Sequence, residues 1–361
     1  MTIICSVGRA IPKYEITQNR IKDIVQTIFD FSDREKNRLL PVFDNAAINA
    51  RQFVVEEDWF LQEHSFEERN RLYHKFAIEY SVVAMDECLK NTNLFHDITY
   101  EDIDLLAFVS STGVSTPSVD TYLMNRRPFR SNVERMPLWG LGCAGGAIGL
   151  SRVHNWLKAN PTKTALLVNC ELCSLTFQRT DNKKSNLIGT ALFGDGISSV
   201  LLIGEKSPFR KSLAKPSPHI KTYSSYTKKN STDVMGWKVI NTGFEVIFSK
   251  SIPALVNTLW KDHMGEMLQN FSVNIGDITS VIAHPGGKKV MEAMMDALHI
   301  SEEQLKYTLQ ILKDHGNMSS TTVLYVLQKW LSEDIQIGNK GVLTALGPGF
   351  SSEILLLEWD V

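Results

Sequence analysis

Cys143 lies in a run of small residues that is typical of a catalytic turn. The segment reads Trp-Gly-Leu-Gly-Cys-Ala-Gly-Gly, and an apolar helical pattern continues after it from Ile148 to Leu157. A helix N-terminus favours the thiolate form of a cysteine, and flanking glycines let a substrate approach the backbone closely. A small cysteine packed within a Gly/Ala helix explains the same residues equally well. The segment alone therefore leaves both a nucleophile and a packing residue open.

The glycines around this cysteine also match a nucleotide-binding pattern. Gly140, Gly142 and Gly145 have the spacing G-x-G-x-x-G of dinucleotide-binding proteins. That motif needs a strand before the glycines and an acidic residue about 20 residues after them. Residues 134–137 do not have the pattern of a clean strand, and the next acidic residue is Glu171. A nicotinamide-dependent oxidoreductase is therefore the least favoured interpretation.

Two more polar residues follow or precede regular elements. His284 ends an apolar run and is followed by Pro-Gly-Gly, at the place where open α/β sheets bind ligands. Asn317 precedes a helical pattern, and an asparagine in that position is ordinarily a helix N-cap. The Gly-Pro-Gly that starts at Gly347 is ordinarily only a turn. Taken singly, Asn317 and this loop are better explained by structure than by chemistry.

The elements that position these residues are predicted from apolar patterning. Short apolar runs without polar alternation predict strands covered on both faces; they span residues 104–110, 164–170, 198–204, 281–284, 341–346 and 353–359. Helical patterns lie between them, and one follows a capping box formed by Ser65 and Glu68. Strands that alternate with helices predict an α/β fold.

The length of 361 residues, at ~150 residues per domain, predicts two domains or one duplicated unit. We place the two halves at residues 1–205 and 240–361, joined by a basic segment, 206–239. Eight basic residues and one acidic residue lie between Lys206 and Lys238. The favoured interpretation is a solvated connection, and contact with a phosphorylated ligand is the alternative.

Composition excludes several classes of protein. The chain has 38 Lys and Arg residues against 40 Asp and Glu residues, so its formal net charge of −2 attracts neither nucleic acid nor an anionic membrane. Five cysteines, none after residue 173, form no disulfide framework. The N-terminus lacks a signal-peptide pattern, and no apolar run reaches the ~20 residues of a membrane span. We expect a cytoplasmic protein without a nucleic-acid partner or a membrane span.

Taken together and in order, the motifs resemble the type III polyketide synthases, relatives of chalcone synthase. The resemblance covers nearly the whole chain and rests on five motifs, Gly-Cys143-Ala-Gly-Gly, Ala-Leu-Phe193-Gly-Asp-Gly, His284-Pro-Gly-Gly, Gly-Asn317-Met-Ser-Ser and Gly347-Pro348-Gly349. It implies a thiolase-like αβαβα layered fold built from two similar halves, and a homodimer. Bacterial alkylpyrone synthases, which use fatty acyl starters, are the members most similar in kind.

The resemblance also implies roles for three residues. Cys143 would take an acyl group from coenzyme A as a thioester, and His284 would pair with the thiol and hold it as thiolate. His284 and Asn317 would donate hydrogen bonds to the malonyl thioester carbonyl, where decarboxylation builds negative charge. The partners are then acyl-CoA and malonyl-CoA. Loss of CO₂ supplies the carbanion, so neither a metal nor a bound redox cofactor is expected.

Local alignment with the family implies which residues bind substrate. Phe193 would shape the junction between the coenzyme A tunnel and the cavity, and Val246 replaces a plant gatekeeping phenylalanine, which leaves room for an apolar starter. The remaining residues implied to line the site are Ser111, Thr112, Cys173, Thr176, Gly189, Ser319, Gly347, Pro348 and Gly349. The plant residues that bind coenzyme A phosphates are poorly matched between Arg38 and Arg51. Thr116 replaces a methionine that crosses the plant dimer interface.

The predicted activity is iterative decarboxylative Claisen condensation of malonyl-CoA onto a fatty acyl starter held on Cys143, with release of a cyclised product such as an alkyl-2-pyrone. A ketoacyl synthase of fatty-acid initiation is one alternative, although it would have His-Gln-Ala-Asn where this chain has His284-Pro-Gly-Gly. A degradative thiolase would need a second cysteine in its C-terminal loop. A non-catalytic, thiolase-like acyl-binding protein also stays open, but such a protein need not retain Cys143, His284 and Asn317.

Overall fold

Nine of the thirteen strands form one mixed sheet in the structure, a computed structural model that describes residues 1–361. The strands are β1 (Thr2–Ala10), β2 (Tyr14–Thr17), β3 (Ala50–Phe53), β4 (Leu105–Ser110), β5 (Glu134–Trp139), β6 (Thr164–Leu172), β7 (Asp195–Gly204), β8 (Ser217–Thr227), β9 (Met235–Ile240), β10 (Gly243–Phe248), β11 (Ile278–Ala283), β12 (Lys340–Gly347) and β13 (Ser351–Asp360). The order in the large sheet is β11-β12-β13-β8-β1-β7-β6-β4-β5, and the pairs β2–β3 and β9–β10 stand apart. All six predicted strands are confirmed.

Thirteen α-helices alternate with these strands. They are α1 (Gln18–Ile28), α2 (Asp33–Leu39), α3 (Pro41–Asp44), α4 (Glu57–Phe60), α5 (Phe66–Lys90), α6 (Val119–Met124), α7 (Gly145–Ala159), α8 (Lys184–Leu192), α9 (Ile252–Leu255), α10 (Lys261–Asn270), α11 (Lys288–Leu298), α12 (Lys306–His315) and α13 (Thr322–Leu331). α5 begins where the Ser65 hydroxyl accepts a hydrogen bond from the Glu68 backbone N–H, 3.1 Å away. Ser65 is therefore the N-cap that the sequence predicts.

Successive residues of the inner strands point into different cores, so both faces of the sheet are covered. In β6, Leu167 packs with α7 and α13, whereas Leu166 and Val168 pack with α5. In β12, Leu343 packs with α7 and α13, whereas Val342 packs with α10 and α11. The layers are therefore α5, strands, α7 with α13, strands, and α10 with α11. This arrangement confirms the predicted α/β class and its five layers.

The strand that leads to Cys143 corrects one expectation. Residues 134–137, which we did not expect to form a clean strand, belong to β5, parallel to β4. β5 is the last strand of the sheet, with one neighbour. An edge strand tolerates Pro137 because the missing N–H can fall on the unpaired side. Its half-exposed residues also lack the continuous apolar run of an inner strand.

The basic segment 206–239 corrects a second expectation. Its residues 217–227 form β8, which pairs with β13 along nearly its whole length and with β1 at its start. The first four residues of β8 are buried, whereas the basic Lys221 is exposed. Residues 217–220 are therefore part of the buried sheet and not of a solvated connection. No helix of the chain is both long enough and apolar enough to cross a membrane.

Candidate functional site

Cys143 occupies the short turn between the end of β5 and the start of α7. The turn spans Gly142–Ala144, and the cysteine side chain is buried. Gly142 has φ +50°, and a Cβ added there would lie 2.7 Å from the ring of Pro348. Its N–H donates to the Ser111 hydroxyl at 2.9 Å. A glycine is therefore required for the turn that presents the thiol.

His284 directly follows β11 and is 2% exposed. Its backbone N–H donates to the Thr344 carbonyl at 2.8 Å, which continues the pairing of β11 with β12. Neither ring nitrogen has a hydrogen-bond partner. Burial lowers the pKa of His284 to about 3, so the imidazole is neutral. A buried ring with both nitrogens unpaired is costly in a fold, and a catalytic role is one explanation for such a group.

Asn317 lies between α12 and α13, with its backbone fixed to the end of α8. Its N–H donates to the Leu192 carbonyl at 2.8 Å, and its carbonyl accepts the Gly194 N–H at 3.0 Å. The side-chain Oδ1 accepts the Ser319 N–H at 2.8 Å. Oδ1 and Nδ2 lie 3.8 and 3.9 Å from the Cys143 sulfur. The asparagine therefore caps the following turn, as its sequence context indicates, and also contacts the thiol.

The three side chains meet at one small cavity. Besides Cys143, His284 and Asn317, its walls are formed by Met235, Phe248, Ile252, Gly286, Val290 and Leu346. Three segments that are far apart in sequence are thus brought together at the ends of β5 and β11. The direct hydrogen bond between Cys143 and His284 that the resemblance implies is not formed, because both ring nitrogens are unpaired.

The electrostatics of the thiol differ from the sequence-based expectation. Burial raises the pKa of Cys143 to about 12, although hydrogen bonds from Ser319 and Asn317 act in the opposite direction. Burial therefore acts against the thiolate that the helix N-terminus is expected to favour. The structure therefore holds a neutral thiol near a neutral imidazole.

Glu171 is a buried carboxyl beside the thiol that sequence reasoning did not select. One of its oxygens accepts the Ser111 N–H at 3.0 Å and the other accepts the Ser320 hydroxyl at 2.7 Å. Burial raises the pKa of Glu171 to about 7, and its charge raises the pKa of Cys143. The available signal was an acidic residue within the buried strand β6, because burying a charge costs free energy unless other groups compensate it.

A second cavity, of about 40 Å³, has Phe193 in its wall and shares no lining residue with the first. Phe193 pairs with Asn317 through the backbone. Ten of the 16 lining residues are apolar, and the set contains five predicted residues, Cys173, Thr176, Gly189, Phe193 and Val246. Its far wall is formed by α1 residues and aromatic rings that sequence reasoning missed, Ile21, Ile24, Val25, Phe53, Phe60 and Phe177. No motif marks α1, because its contribution arises only from tertiary packing.

The remaining predicted residues support the thiol turn and do not line the apolar cavity. The Thr112 hydroxyl accepts the Leu172 N–H at 2.9 Å, and the Ser319 hydroxyl lies 3.5 Å from Glu171. A Cβ added to Gly347 would lie 2.5 Å from that of Ala144. The Gly347-Pro348-Gly349 loop is therefore packed directly against the turn that carries Cys143.

Two family models match the chain. Residues 1–207 match the N-terminal domain, and residues 224–359 the C-terminal domain, of the chalcone and stilbene synthases. The chain belongs to this family. As a type III polyketide synthase it is an acyltransferase that uses coenzyme A thioesters and condenses malonyl units iteratively. The glycine spacing around Cys143 is therefore not a dinucleotide-binding motif.

Individual relatives agree with this assignment. The synthase is 45% identical over 366 residues to the "Putative chalcone synthase" of Bacillus subtilis, covering 100% of this chain and 99% of the relative. It is 33% identical over 368 residues to the 1,3,6,8-tetrahydroxynaphthalene synthase of Streptomyces peucetius, covering 99% and 93%. The crystal structure of the Streptomyces coelicolor tetrahydroxynaphthalene synthase superposes with TM-score 0.91 at 25% identity, covering 99% of each chain. The thiolase-like fold is confirmed.

Proposed function

We propose that this synthase loads a fatty acyl starter onto Cys143, extends it with malonyl units and releases a cyclised alkyl-2-pyrone. The observation that carries the proposal is the apolar cavity walled by Phe193, whose backbone pairs with that of Asn317 in the thiol site. A narrow cavity walled by Ile24, Val25 and aromatic rings favours an unbranched alkyl chain over a ring. Each methylene buried there contributes about 0.8 kcal/mol of binding free energy.

The loading step uses Cys143 and His284. The thiol attacks the acyl carbonyl, a new S–C bond forms, and the bond to the coenzyme A sulfur breaks. As the acyl group is transferred, the imidazole of His284 accepts the thiol proton and passes it to the departing coenzyme A thiolate. The raised pKa of Cys143 makes this transfer necessary, since little thiolate exists before substrate binds.

The extension step uses Asn317 and His284 as hydrogen-bond donors. Both side chains line the cavity that contains the thiol, where the malonyl thioester carbonyl would bind. As CO₂ leaves, the electron pair of the broken C–C bond forms an enolate, and these donors stabilise its oxygen. The enolate carbon then attacks the acyl thioester, and the Cys143 sulfur leaves as thiolate, ready for the next transfer.

Phe193 is tightly packed in the wall of the apolar cavity. Its ring centroid lies 5.7 Å from that of Trp237. A Cβ added to Gly189 would lie 3.3 Å from both Phe193 and Val246. A larger residue at Gly189 or Val246 would therefore reduce the space in the apolar cavity, which supports a role for both residues in starter choice.

The test is intact-protein mass spectrometry with a series of acyl-CoA starters, followed by product analysis with malonyl-CoA. We expect fatty acyl adducts on the wild type, none on Cys143→Ala, and pyrones that carry the starter's alkyl chain. An aromatic product without an alkyl chain, as the name of the tetrahydroxynaphthalene relative indicates for that protein, would contradict the starter proposal. An adduct that persists in Cys143→Ala would contradict the nucleophile.

We further propose that the synthase is a homodimer joined beside β5. Trp139 and Val114 are 54% and 42% exposed, and they border a cavity that also includes Thr116. Exposed apolar side chains along a sheet edge favour burial against a second copy. We expect Val114→Glu to shift the mass from dimer to monomer in light scattering, and Val239→Glu, at a 60% exposed site on β9, to leave it unchanged. If both variants remain dimeric, the dimer interface does not lie beside β5.

The predicted cytoplasmic location stays part of this proposal, and five free thiols support it.

A further inference from the structure

Arg51, in β3, is a buried cation with no ion-pair partner. Its side chain is 1% exposed, and its guanidinium donates to two backbone carbonyls and one amide oxygen, while the charge of Asp195 acts on it without a hydrogen bond. Burying a charge in this way costs free energy unless hydrogen bonds compensate it. The groups that accept hydrogen bonds from the guanidinium therefore indicate which segment of the chain Arg51 stabilises.

The hydrogen bonds of Arg51 end on the segment that carries Phe193. Nη1 donates to the carbonyl oxygens of Thr190 at 2.5 Å and Phe193 at 2.7 Å. These carbonyls belong to the C-terminal end of α8, where a positive charge is favourable. Nη2 donates to Oε1 of Gln18 at 2.7 Å, and Gln18 in turn donates to the Ala191 carbonyl at 2.9 Å.

The aliphatic part of the same side chain fills the space between two glycines. A Cβ added to Gly194 would lie 3.3 Å from the Cβ of Arg51, and one added to Gly316 would lie 2.7 Å from its Cγ and Cδ. Gly194 follows Phe193, and Gly316 precedes Asn317. One side chain thus contacts both backbone segments that meet where Phe193 pairs with Asn317.

We propose that Arg51 is a positioning residue that holds the Phe193 and Asn317 segments together and so places the Asn317 amide against Cys143. The inference rests on the proposed role of Asn317 in extension. Because the Asn317 N–H is bonded to Leu192, a shift in the end of α8 displaces Asn317 with it. The elements that hold Cys143 are β5, α7 and the Gly347 loop, and the guanidinium of Arg51 is hydrogen-bonded to none of them.

Because Arg51 contacts the Asn317 segment directly, its replacement should change the rates of two half-reactions unequally, namely acylation of Cys143 and decarboxylation of malonyl-CoA. Loading needs Cys143 and His284, neither of which Arg51 contacts. Decarboxylation needs the Asn317 donor, and a misplacement of about 1 Å costs on the order of 10²-fold in rate. Loss of the guanidinium contacts therefore slows decarboxylation of malonyl-CoA more than it slows acylation of Cys143.

Arg51→Lys is the test variant, because it retains the charge and the stem but loses the forked contacts to Thr190 and Phe193. Arg69→Lys is the matched control: Arg69 is also buried, and its Nη1 also donates to two carbonyl oxygens, those of Leu175 and Phe177. Both variants are measured for melting temperature, acylation rate and the kcat and KM of malonyl-CoA decarboxylation.

We expect Arg51→Lys to lose at least about tenfold in kcat for decarboxylation, with acylation changed less than about threefold. Arg69→Lys should lower the melting temperature and leave the ratio of the acylation and decarboxylation rates unchanged. An equal loss of both half-reactions, or a loss of neither, in Arg51→Lys would overturn the inference. Failure of the proposed function is recognised separately, since Asn317→Ala would then retain decarboxylation in an otherwise native chain.

Discussion

The side-chain amide of Asn317 lies against the thiol of Cys143, with Oδ1 at 3.8 Å and Nδ2 at 3.9 Å from the sulfur. These distances are long for hydrogen bonds, so Nδ2 keeps its capacity to donate. The backbone of Asn317, by contrast, is fixed on both sides to the end of α8. A rigid backbone that presents a weakly engaged N–H donor is the arrangement required to stabilise a developing oxyanion.

Replacement of Asn317 by alanine should separate loading from extension. We expect decarboxylation of malonyl-CoA to fall by ~10²–10³, because one preorganised donor is lost. Acylation of Cys143, followed by intact-protein mass, should be retained. Asn257→Ala, at an exposed position, is the control and should leave both steps unchanged. Unimpaired decarboxylation in Asn317→Ala would show that this amide does not bind the enolate oxygen.

A second prediction concerns the length of the starter. Ile24 lines the far wall of the apolar cavity. Ile24→Trp should shorten the longest starter accepted, with a loss of at least about tenfold in kcat/KM for long acyl-CoA substrates and little change for short ones. Gln26→Trp, on the exposed side of the same helix, is the matched control. A uniform loss across all starters would indicate damage to the fold and not a steric limit.

The sequence predicted six strands of the large sheet but missed β1, β5 and β8. β6 and β12 have continuous apolar runs because both of their faces are covered, and such runs are visible without tertiary information. β5 is half-exposed and contains Pro137, and β8 combines a buried start with an exposed, basic remainder. In both, the pairing of the backbone decides the structure, and the side-chain pattern gives little indication of it.

The candidate site likewise contains residues that the sequence predicted and residues that it did not. Cys143, His284 and Asn317 each follow a sequence motif, and the structure brings them to one cavity. Ile24 and Arg51 have no motif, because their positions depend on how β3 and α1 pack against α8. The protonation state of the Cys143 thiol could not be predicted from the sequence either, because its pKa depends on burial and on the neighbouring Glu171.

The charge of Glu171 should reduce the reactivity of the nucleophile. Its carboxylate raises the pKa of Cys143, and its own pKa is raised to about 7 by burial, so the charge is present mainly above pH 7. We expect Glu171→Gln to alkylate with iodoacetamide at Cys143 roughly two- to tenfold faster at pH 8. Glu353→Gln, at a buried carboxyl bonded to Ser151, should match the wild type. Slower or unchanged alkylation in Glu171→Gln would contradict this coupling.

Two helical glycines should respond to alanine in opposite directions. A Cβ added to Gly146 would lie 2.3 Å from the Ser320 carbonyl oxygen, so α7 must shift from α13, at a cost of about 1–3 kcal/mol in unfolding free energy. Gly265, in α10, has no atom within 4 Å of an added Cβ, and Gly265→Ala should stabilise by roughly 0.5–1 kcal/mol. Denaturant unfolding measures both. A stabilised Gly146→Ala would show that the two helices do not pack this closely.

His219 should make the synthase less stable in mild acid. The side chain is 1% exposed, neither ring nitrogen has a partner, and burial lowers its pKa from 6.5 to about 4. The unfolded chain therefore takes up a proton that the folded chain does not. The resulting loss of stability is absent well above pH 6.5, grows as the pH falls through 6.5, and reaches its full size near pH 4.

The substitution His219→Gln removes this titration. Between pH 7.5 and 5.5, the wild type should lose about 1 kcal/mol more unfolding free energy than the variant, since the pH falls about one unit below the pKa of the unfolded histidine. His96→Gln, at an exposed position, should reproduce the wild-type dependence on pH, because unfolding changes its surroundings little. If His219→Gln and the wild type lose stability in parallel, then the buried ring is already protonated in the folded state, and its unpaired nitrogens must have found a partner that carries that charge.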